Sequence, residues 1–132
     1  MTTFPPITHI ALTVRDLTVS VPWYEALLDA APVIDEDTEP NFHHTVYLLG
    51  NGTLLGLHQH TTPAPNERFS EYRVGLDHVA FGCANRDELQ KWSARLDELG
   101  IQHGDIKDAP YGSGLSFRDP DGIALEFLAP PS

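Results

Sequence analysis

The chain has 132 residues, with 8 Lys and Arg against 19 Asp and Glu, and a formal net charge of −11 with His neutral. Such an acidic protein lacks the concentrated positive field that nucleic acids and anionic membranes attract, so neither is an expected partner. The single cysteine excludes an internal disulfide and is typical of a reducing compartment. No apolar run is long enough to span a membrane, and no signal peptide is visible, so a cytoplasmic protein is expected.

Two stretches of the chain repeat each other. HIALTVRDL, which begins at His9, matches HVAFGCANRDEL, which begins at His78, and NGTLLGL matches DGIALEF. The repeat predicts a single domain over residues 1–132, with a first module at about 5–60, a linker at 61–74 and a second module at about 75–129. The two halves differ at one position that matters chemically, because Gly56 stands where the second half has Glu126.

Alternating residues and turn signals predict five elements in the first half: a strand over 7–14, a helix ending near 29, and strands over 31–34, 44–49 and 53–60. Asp16 and Ser20 are both candidate N-caps of the helix. Pro22 favours Ser20, because proline is tolerated best in the first helical turn. The acidic segment 35–41 is expected to be an exposed connection.

The second half predicts the same order: a strand over 76–83, a helix from 85 to 100, a mixed strand over 101–107, a flexible turn over 109–114, and strands over 115–118 and 123–128. Asn85 and Glu88 form a capping box at the start of the helix, and Gly100 ends it. Two βαβββ modules with their helices outside predict an α+β fold built from curved mixed sheets.

This layout resembles the vicinal oxygen chelate superfamily, which includes glyoxalase I, bleomycin-resistance proteins, fosfomycin-resistance enzymes and extradiol dioxygenases. The matching stretches are THIALTVRDL and WYEALL, then LDHVAF, LDELG and APYGSGLSFRDPDGIALEF. The resemblance implies a homodimer, and a U-shaped cavity that holds a divalent metal. The family's four ligand positions fall on His9, Gly56, His78 and Glu126. Gly56 has no side chain that can coordinate, and this departure argues against glyoxalase I activity.

His9, His78 and Glu126 therefore remain as the predicted metal ligands. Two imidazoles and one carboxylate suit Fe(II), Mn(II), Ni(II) or Zn(II), and they leave coordination positions for adjacent oxygens of a small substrate. Glu126 lies in an apolar strand, where a buried carboxylate needs a cation or hydrogen-bond donors. The alternative is that the three are separate polar residues near strand ends, which is the usual role of a single strand histidine.

Two further residues are candidates for the site. His58 shares a strand face with Gly56, and it is expected to contact substrate, to act as a general base or to bind the metal. It is predicted to be catalytic together with Glu126. Tyr111 lies in the APYGSG turn and is predicted to donate a hydrogen bond to substrate, although an aromatic ring that packs within the turn explains it equally well.

The sequence supports two functions of different classes. The first is a small metal-dependent enzyme with dioxygenase-like or lyase/isomerase-like chemistry, and the scarcity of Lys and Arg near the site argues against a phosphonate substrate. The second is a metal-free protein of the bleomycin-resistance type that sequesters a cationic or aromatic small molecule, which fits the net acidity. A scaffold with no catalysis is a third interpretation. The first two predict a small-molecule partner.

Overall fold

This computed structural model describes residues 3–38, 42–61 and 67–131. The chain divides into two compact units, unit 1 over residues 1–66 and unit 2 over residues 67–132. The predicted linker spans this division, and its residues 62–66 lie outside the described ranges. In each unit the described elements run strand–helix–strand–strand–strand, which confirms the predicted βαβββ modules and the α+β class. Within those ranges, neither helix has the length and apolar character needed to cross a membrane.

Unit 1 comprises β1 (His9–Thr13), α1 (Leu17–Leu28), β2 (Ile34–Thr38), β3 (Phe42–Leu48) and β4 (Leu54–His60). The strands form a sheet in the order β1-β4-β3-β2, with β1 parallel to β4 and the other pairs antiparallel. One face of the sheet and the helix bury the apolar core, which includes Leu12, Tyr24, Leu27, Tyr47, Leu55 and Leu57. Full burial of one such side chain contributes about 1.5–3 kcal/mol to folding stability, so this apolar layer holds the sheet against the helix.

Three predictions about unit 1 were wrong in detail. The N-cap is Asp16, four residues before Ser20, because its carboxylate accepts hydrogen bonds from the backbone N–H and the hydroxyl of Thr18. Pro22 lies inside the helix, on its exposed side. The strand expected over 31–34 lies instead over 34–38, so most of the acidic segment expected to be a connection pairs with β3. Residues 39–41 of that segment lie outside the described ranges.

Unit 2 comprises β5 (Val79–Gly82), α2 (Arg86–Glu98), β6 (Lys107–Ala109), β7 (Gly112–Arg118) and β8 (Ala124–Ala129). Its strand order, β5-β8-β7-β6, repeats that of unit 1, again with the first strand parallel to the last. The buried side chains include Leu89, Leu96, Leu115, Phe117, Leu125 and Phe127. Trp92 of the helix stacks on Phe127, with ring centroids 4.4 Å apart.

The ends of α2 follow the sequence prediction. Asn85 Oδ1 accepts from the backbone N–H of Glu88 at 3.0 Å, and the carboxylate of Glu88 accepts from the N–H of Ala84 at 2.7 Å. Gly100 adopts φ 72°, a left-handed conformation that suits glycine, and the N–H of Ile101 then bonds back to the carbonyl of Leu96. Both caps therefore act as the sequence indicates.

Two other predictions about unit 2 were wrong. The strand expected over 101–107 is reduced to an isolated bridge between His103 and Phe117, followed by the short strand β6. The turn expected over 109–114 is already strand from Gly112 onward. Gly112 has φ 146°, and a Cβ atom there would collide with the carbonyl oxygen of Ala129. This glycine therefore permits close approach of two strands rather than flexibility.

Candidate functional site

In each unit the sheet packs its helix against one face, and the opposite face is called here the open face of that unit. On β1 the exposed residues His9, Ala11 and Thr13 alternate with buried ones, which places them on the open face of unit 1. In unit 2 the same alternation places Ala80 on the open face, together with His78 just before the strand. The two histidines that the sequence singles out therefore occupy matching positions.

The strand register shows that Gly56 and Glu126 are equivalent positions. Ala11 pairs with Gly56 between β1 and β4, and Ala80 pairs with Glu126 between β5 and β8. Gly56 and Glu126 are each the third residue of the last strand of their unit, as the sequence repeat indicates. The open face of unit 1 therefore has a glycine where that of unit 2 has a carboxylate.

Each of the two histidines has one ring nitrogen held by the side chain of the preceding residue. Nδ1 of His78 lies 2.6 Å from a carboxylate oxygen of Asp77, and Nδ1 of His9 lies 3.0 Å from the hydroxyl of Thr8. Because a carboxylate only accepts, the first contact makes Nδ1 the protonated nitrogen of His78 and leaves a lone pair on Nε2. That tautomer and this kind of outer partner are typical of histidines that bind metals.

Glu126 is half-buried on the open face of unit 2, and its carboxylate lies over Gly114 of the adjacent strand. A Cβ atom at Gly114 would lie 3.4 Å from Cδ of Glu126 and 3.5 Å from Oε2, so the glycine leaves room for the carboxylate. Within the described part of unit 2, no donor reaches the carboxylate oxygens. These oxygens are therefore free to bind a cation.

A cluster of rings covers the far end of the open face of unit 1. His58 stacks on Phe42 with ring centroids 4.7 Å apart and an interplanar angle of 11°. His44 meets His58 edge-on at 5.4 Å, and His60 lies 6.2 Å from it. Burial lowers the pKa of His58, and the neighbouring imidazoles of His44, His60 and His9 lower it further. His58 is therefore neutral near pH 7, with one ring nitrogen free to act as a base or a ligand.

The imidazole of His58 also lies over the vacant position at Gly56. A Cβ atom at Gly56 would lie 3.5 Å from Nε2 of His58 and 3.6 Å from Cδ2, with a methyl carbon of Val46 at 3.7 Å. A residue with a longer side chain at position 56 would compete with the ring for this space. The missing side chain at 56 is thus matched by a ring that occupies its volume.

A cleft of about 510 Å³ adjoins this cluster at the end of the sheet of unit 1; it is lined by Leu17, Asp37, Thr38, Phe42, His43, Gln59, His60 and Thr61. The amide oxygen of Gln59 accepts from the N–H of Leu17 at 2.7 Å and so joins β4 to the start of α1. His43 is fixed on one side by Asp35 and Asp37. The cleft thus combines aromatic surface with carboxylate charge.

The remaining predicted site residue, Tyr111, lies elsewhere. Tyr111 is in the turn between β6 and β7, where it is 75% exposed. Its role in substrate binding stays a prediction. Arg118 donates to the carbonyl of Gly122 and to Glu71, and Asp119 accepts from two backbone N–H groups of the following turn, so both build the last hairpin.

Sequence reasoning underestimated Phe42 and His44. His44 is the first residue of the strand predicted over 44–49; its side chain is only 17% exposed, and its Nε2 lies 3.1 Å from a carboxylate oxygen of Glu36. The available signal was the alternation of Phe42 and His44 on one strand opposite His58 and His60 on the next. In an antiparallel hairpin such residues fall on the same face.

The predicted metal ligands are divided between the units, with His9 in unit 1, and His78 and Glu126 in unit 2. Among the described residues, no group of three or more His, Cys, Asp or Glu side chains is already drawn together in a way that could hold a metal ion. The assignment of these three ligands therefore stays a prediction, supported within each unit by the free ring nitrogen or carboxylate that faces outward.

The family model of the Glyoxalase/Bleomycin resistance protein/Dioxygenase superfamily matches residues 6–127 of this chain. The metallothiol transferase FosB of Staphylococcus saprophyticus is 26% identical over 122 residues, which cover 91% of this chain and 74% of that protein. FosB of Bacillus licheniformis is 28% identical over 127 residues, which cover 91% of this chain and 72% of that protein.

Solved structures show the same fold. A glyoxylase/bleomycin resistance protein/dioxygenase domain from Frankia sp. EAN1pec has a TM-score of 0.87 and 30% identity, covering 98% of this chain and all of that one. A mutant of the fosfomycin resistance protein FosX from Listeria monocytogenes, complexed with Mn(II) and 1S,2S-dihydroxypropylphosphonic acid, has a TM-score of 0.70. It is 19% identical and covers 96% of this chain and 93% of its own, so it shows a shared fold alone.

Proposed function

Because the chain belongs to the Glyoxalase/Bleomycin resistance protein/Dioxygenase superfamily, we propose that it is a small metal-dependent enzyme that binds one divalent metal and a small oxygen-chelating substrate. The proposed ligands are His9, His78 and Glu126. The FosB relatives, whose name is metallothiol transferase, support metal dependence, and the FosX structure holds Mn(II). The metal is proposed to be Fe(II), Mn(II), Ni(II) or Zn(II), the ions that two imidazoles and one carboxylate suit.

The observation that carries the proposal is the state of the three side chains on the open faces. The contact between Asp77 and His78 fixes the tautomer that leaves Nε2 of His78 with a lone pair. Nε2 of His9 is likewise the nitrogen not engaged by Thr8. The carboxylate of Glu126 is half-buried and has no donor among the described residues, so its oxygens are available to a cation.

A metal bound to these residues would polarise neighbouring oxygens of a substrate and stabilise the negative charge that develops on them. On each open face taken by itself, the residues beside the proposed ligands are small: Ala11 and Gly56 in unit 1, and Ala80, Gly82 and Gly114 in unit 2. His58 presents a neutral imidazole, the form that accepts a proton or binds a metal. Tyr111 is retained as a proposed hydrogen-bond donor to the substrate.

The charge of unit 1 bears on the substrate class. Residues 1–66 contain one basic residue, Arg15, and seven acidic ones. A doubly charged phosphonate needs several cationic donors, and unit 1 supplies almost none. We therefore propose a substrate whose chelating oxygens carry at most one negative charge, as in a catechol or a hydroxy-carbonyl compound. Dioxygenase-like and lyase/isomerase-like reactions both accept such a substrate.

The test is metal stoichiometry measured by elemental mass spectrometry on apo-protein reloaded separately with Fe(II), Mn(II), Ni(II) and Zn(II). About one equivalent per chain is expected for at least one ion, with loss of binding in His9→Ala, His78→Ala and Glu126→Gln. Glu98→Gln is the matched control, because Glu98 is an exposed carboxylate whose partner in the described part of the chain is Arg95 of the same helix. Stoichiometric metal that persists in all three site variants would refute the proposed ligand set.

A second function is favoured by the cleft of unit 1. Its combination of Phe42 and Asp37 suits an aromatic or cationic small molecule, as expected for a metal-free sequestering protein of the bleomycin-resistance type. Thermal shift with cationic aromatic compounds, measured on metal-free protein, tests it. A stabilisation that is lost in both Asp37→Asn and Phe42→Ala would favour this second function over the enzyme, provided that no stoichiometric metal binds.

A further inference from the structure

The cleft at the end of the sheet of unit 1 has the size of a binding site. Its volume of about 510 Å³ lies within the range of pockets that hold small organic molecules, roughly 300–1,000 Å³. His9 pairs with Leu54 at one end of β4, whereas His60, which lines the cleft, is at the other end. At roughly 3.3 Å per residue the two ends are about 20 Å apart, so a small substrate bound at His9 does not extend into the cleft.

Thr38 contributes to the cleft a hydroxyl whose hydrogen-bonding capacity is unused. Its Oγ1 is shielded from solvent and has no hydrogen-bond partner among the described residues. Thr38 is also one of the residues that line the cleft. Because a buried hydroxyl without a partner costs free energy, such a group beside a cleft indicates a ligand that completes its hydrogen bonds.

Gln59 adds a fixed donor to the same cleft. Its amide oxygen accepts from the backbone N–H of Leu17 at 2.7 Å, which holds the side chain between β4 and the start of α1. Since the oxygen is engaged in this way, the NH₂ group with its two N–H donors is the part of the amide that can bind a ligand. A carbonyl oxygen or a ring nitrogen is the group that such a donor recognises.

Aromatic surface and a carboxylate complete the cleft. The rings of Phe42 and His60 have centroids 5.4 Å apart and are tilted by 43° to each other. Aromatic side chains of this kind offer a surface on which a flat ring packs. The side chain of Asp37 is 95% exposed, so it lies at the rim of the cleft, where its carboxylate can accept from an amino group.

We propose that the cleft is a second small-molecule site, which binds a flat heteroaromatic compound that carries a ring carbonyl and an amino group. The carbonyl accepts from Gln59 and Thr38. The ring packs on Phe42 and His60, and the amino group donates to Asp37. The inference rests on the same cleft as the second function and deepens it, because neutral hydrogen bonds rather than a cationic charge select the ligand. It does not depend on the metal site.

The test compares three flat bicyclic probes of similar size by isothermal titration into the full chain. 2-Aminoquinazolin-4-one carries both polar groups, quinazolin-4-one lacks the amino group, and naphthalen-2-amine lacks the carbonyl and the ring nitrogens. The first probe should bind at least about tenfold more tightly than naphthalen-2-amine and about threefold more tightly than quinazolin-4-one. Equal affinity for the first probe and naphthalen-2-amine, or no measurable binding of the first probe, would overturn the proposal.

Thr38→Val removes the unused hydroxyl at nearly constant volume. It should leave the free energy of unfolding unchanged or raise it, whereas it should weaken binding of 2-aminoquinazolin-4-one about three- to tenfold. Thr13→Val is the matched control, because Thr13 is an exposed threonine of β1 outside the lining of the cleft. Unchanged probe affinity in Thr38→Val would contradict the proposal, since this hydroxyl is its main support.

Gln59→Glu keeps an oxygen for the N–H of Leu17 and replaces the NH₂ donor by a carboxylate oxygen. It should weaken the two probes that carry a carbonyl at least about tenfold and leave the affinity for naphthalen-2-amine nearly unchanged. An equal loss for all three probes would show a general change in the shape of the cleft and would overturn the role of Gln59.

The outcomes distinguish this inference from the proposed functions. Probe affinity should be the same in apo-protein and in His9→Ala as in metal-loaded wild type, and a loss in His9→Ala would overturn the separation of the two sites. A chain that binds the first probe but no metal would overturn the metal-dependent enzyme alone. A chain that is stabilised by cationic aromatic compounds but does not bind 2-aminoquinazolin-4-one would support the second function and overturn this inference.

Discussion

Unit 1 carries a cluster of aromatic and imidazole rings at the far end of its open face, whereas unit 2 carries the carboxylate of Glu126 beside Ala80 and Gly114. The first-strand histidine is kept in both, and in both its Nδ1 is held by the residue before it. The units differ at the equivalent fourth-strand positions, Gly56 and Glu126. The comparison teaches that a repeated module can keep the histidine of its first strand while a position on its last strand diverges and a neighbouring ring occupies the vacant space.

A glycine of each unit can be compared by the space available for a Cβ atom, Gly112 in unit 2 and Gly56 in unit 1. Substitution of each by alanine should give the largest contrast in stability between the units. Gly112→Ala in unit 2 should destabilise the protein by about 2–4 kcal/mol, because φ is 146° and the new Cβ would collide with the carbonyl of Ala129. Gly56→Ala in unit 1 should cost less than about 1 kcal/mol, because its Cβ would make ordinary contacts with His58 and Val46. Urea unfolding of both variants measures this contrast.

A result with the two glycines reversed would mean that unit 1, not unit 2, depends on close strand approach at its glycine. Equal and small effects would show that the strand ends near Ala129 can move apart at little cost. Gly50→Ala is a suitable neutral control, since its added Cβ would meet nothing within 4 Å and φ is not positive.

The residues that precede the two histidines, Thr8 and Asp77, should differ in how much they strengthen metal binding. Asp77→Ala removes a carboxylate from Nδ1 of His78, and it should weaken metal binding by about 10- to 100-fold, the usual effect of losing such an outer partner. Thr8→Ala removes only a hydroxyl from His9 at 3.0 Å and should have a smaller effect. Metal titration of the two variants at one pH compares them directly.

Asp77→Asn refines this prediction, because an amide oxygen still accepts from Nδ1 but carries no charge. An intermediate loss would show that both orientation and charge of the carboxylate contribute. If Thr8→Ala weakened binding more than Asp77→Ala, the contact in unit 1 would be the one that prepares its histidine, and the present ranking of the units would be wrong.

The N-terminal caps of the two helices should have similar strengths. Asp16→Ala and Asn85→Ala should each lower the free energy of unfolding by about 1 kcal/mol, because each side chain accepts from a backbone N–H at the helix start. Ser20→Ala should cost nothing or stabilise slightly, since within the described ranges its buried hydroxyl has no hydrogen-bond partner. If Ser20→Ala lowered the free energy of unfolding more than Asp16→Ala did, Ser20 would be the N-cap, as the position of Pro22 predicts.

The features that sequence reasoning predicted are those set by local chemistry. The alternation around His9 and His78 predicted their strands and faces, and Asn85 with Glu88 predicted the start of α2. Glu126 stood out because a carboxylate in an apolar strand conflicts with its neighbours. In each case the signal lies within a few residues of the feature, so no knowledge of the tertiary fold was needed.

The features that it missed depend on partners distant in sequence. The segment IDEDT has low strand propensity, yet it forms β2 because His43, His44 and Thr45 of β3 supply partners for its carboxylates. The position of the His58 ring depends on Phe42, which lies on another strand. The missing side chain at position 56 can be identified from the sequence, but the residue that occupies its space cannot.

The smallest predicted effect is a pH dependence centred on His43. Both of its ring nitrogens contact carboxylates, Asp37 at 2.9 Å and Asp35 at 2.5 Å, and these bonds raise the pKa of His43. The hydrogen bonds from His43 and then Thr45 lower the pKa of Asp35. The contribution of His43 to folding stability is complete below its unfolded pKa of about 6.5, and it is lost as pH rises through the higher folded pKa. The contribution of Asp35 to folding stability is complete above about pH 4, and it is lost as pH falls.

The pair should therefore stabilise unit 1 most between about pH 4 and 6.5, by less than about 1 kcal/mol because both groups are partly exposed and screened. Urea unfolding of His43→Gln and wild type at pH 5.5 and 8.5 should show a difference that shrinks at the higher pH.

His103 of unit 2 offers the comparison, since its ring nitrogens contact the carbonyl of Gly104 and the carboxylate of Asp97, and its pKa is also raised. The variant His103→Gln should likewise show a loss of stability that shrinks as pH rises, and a difference from wild type that did not shrink would contradict this prediction.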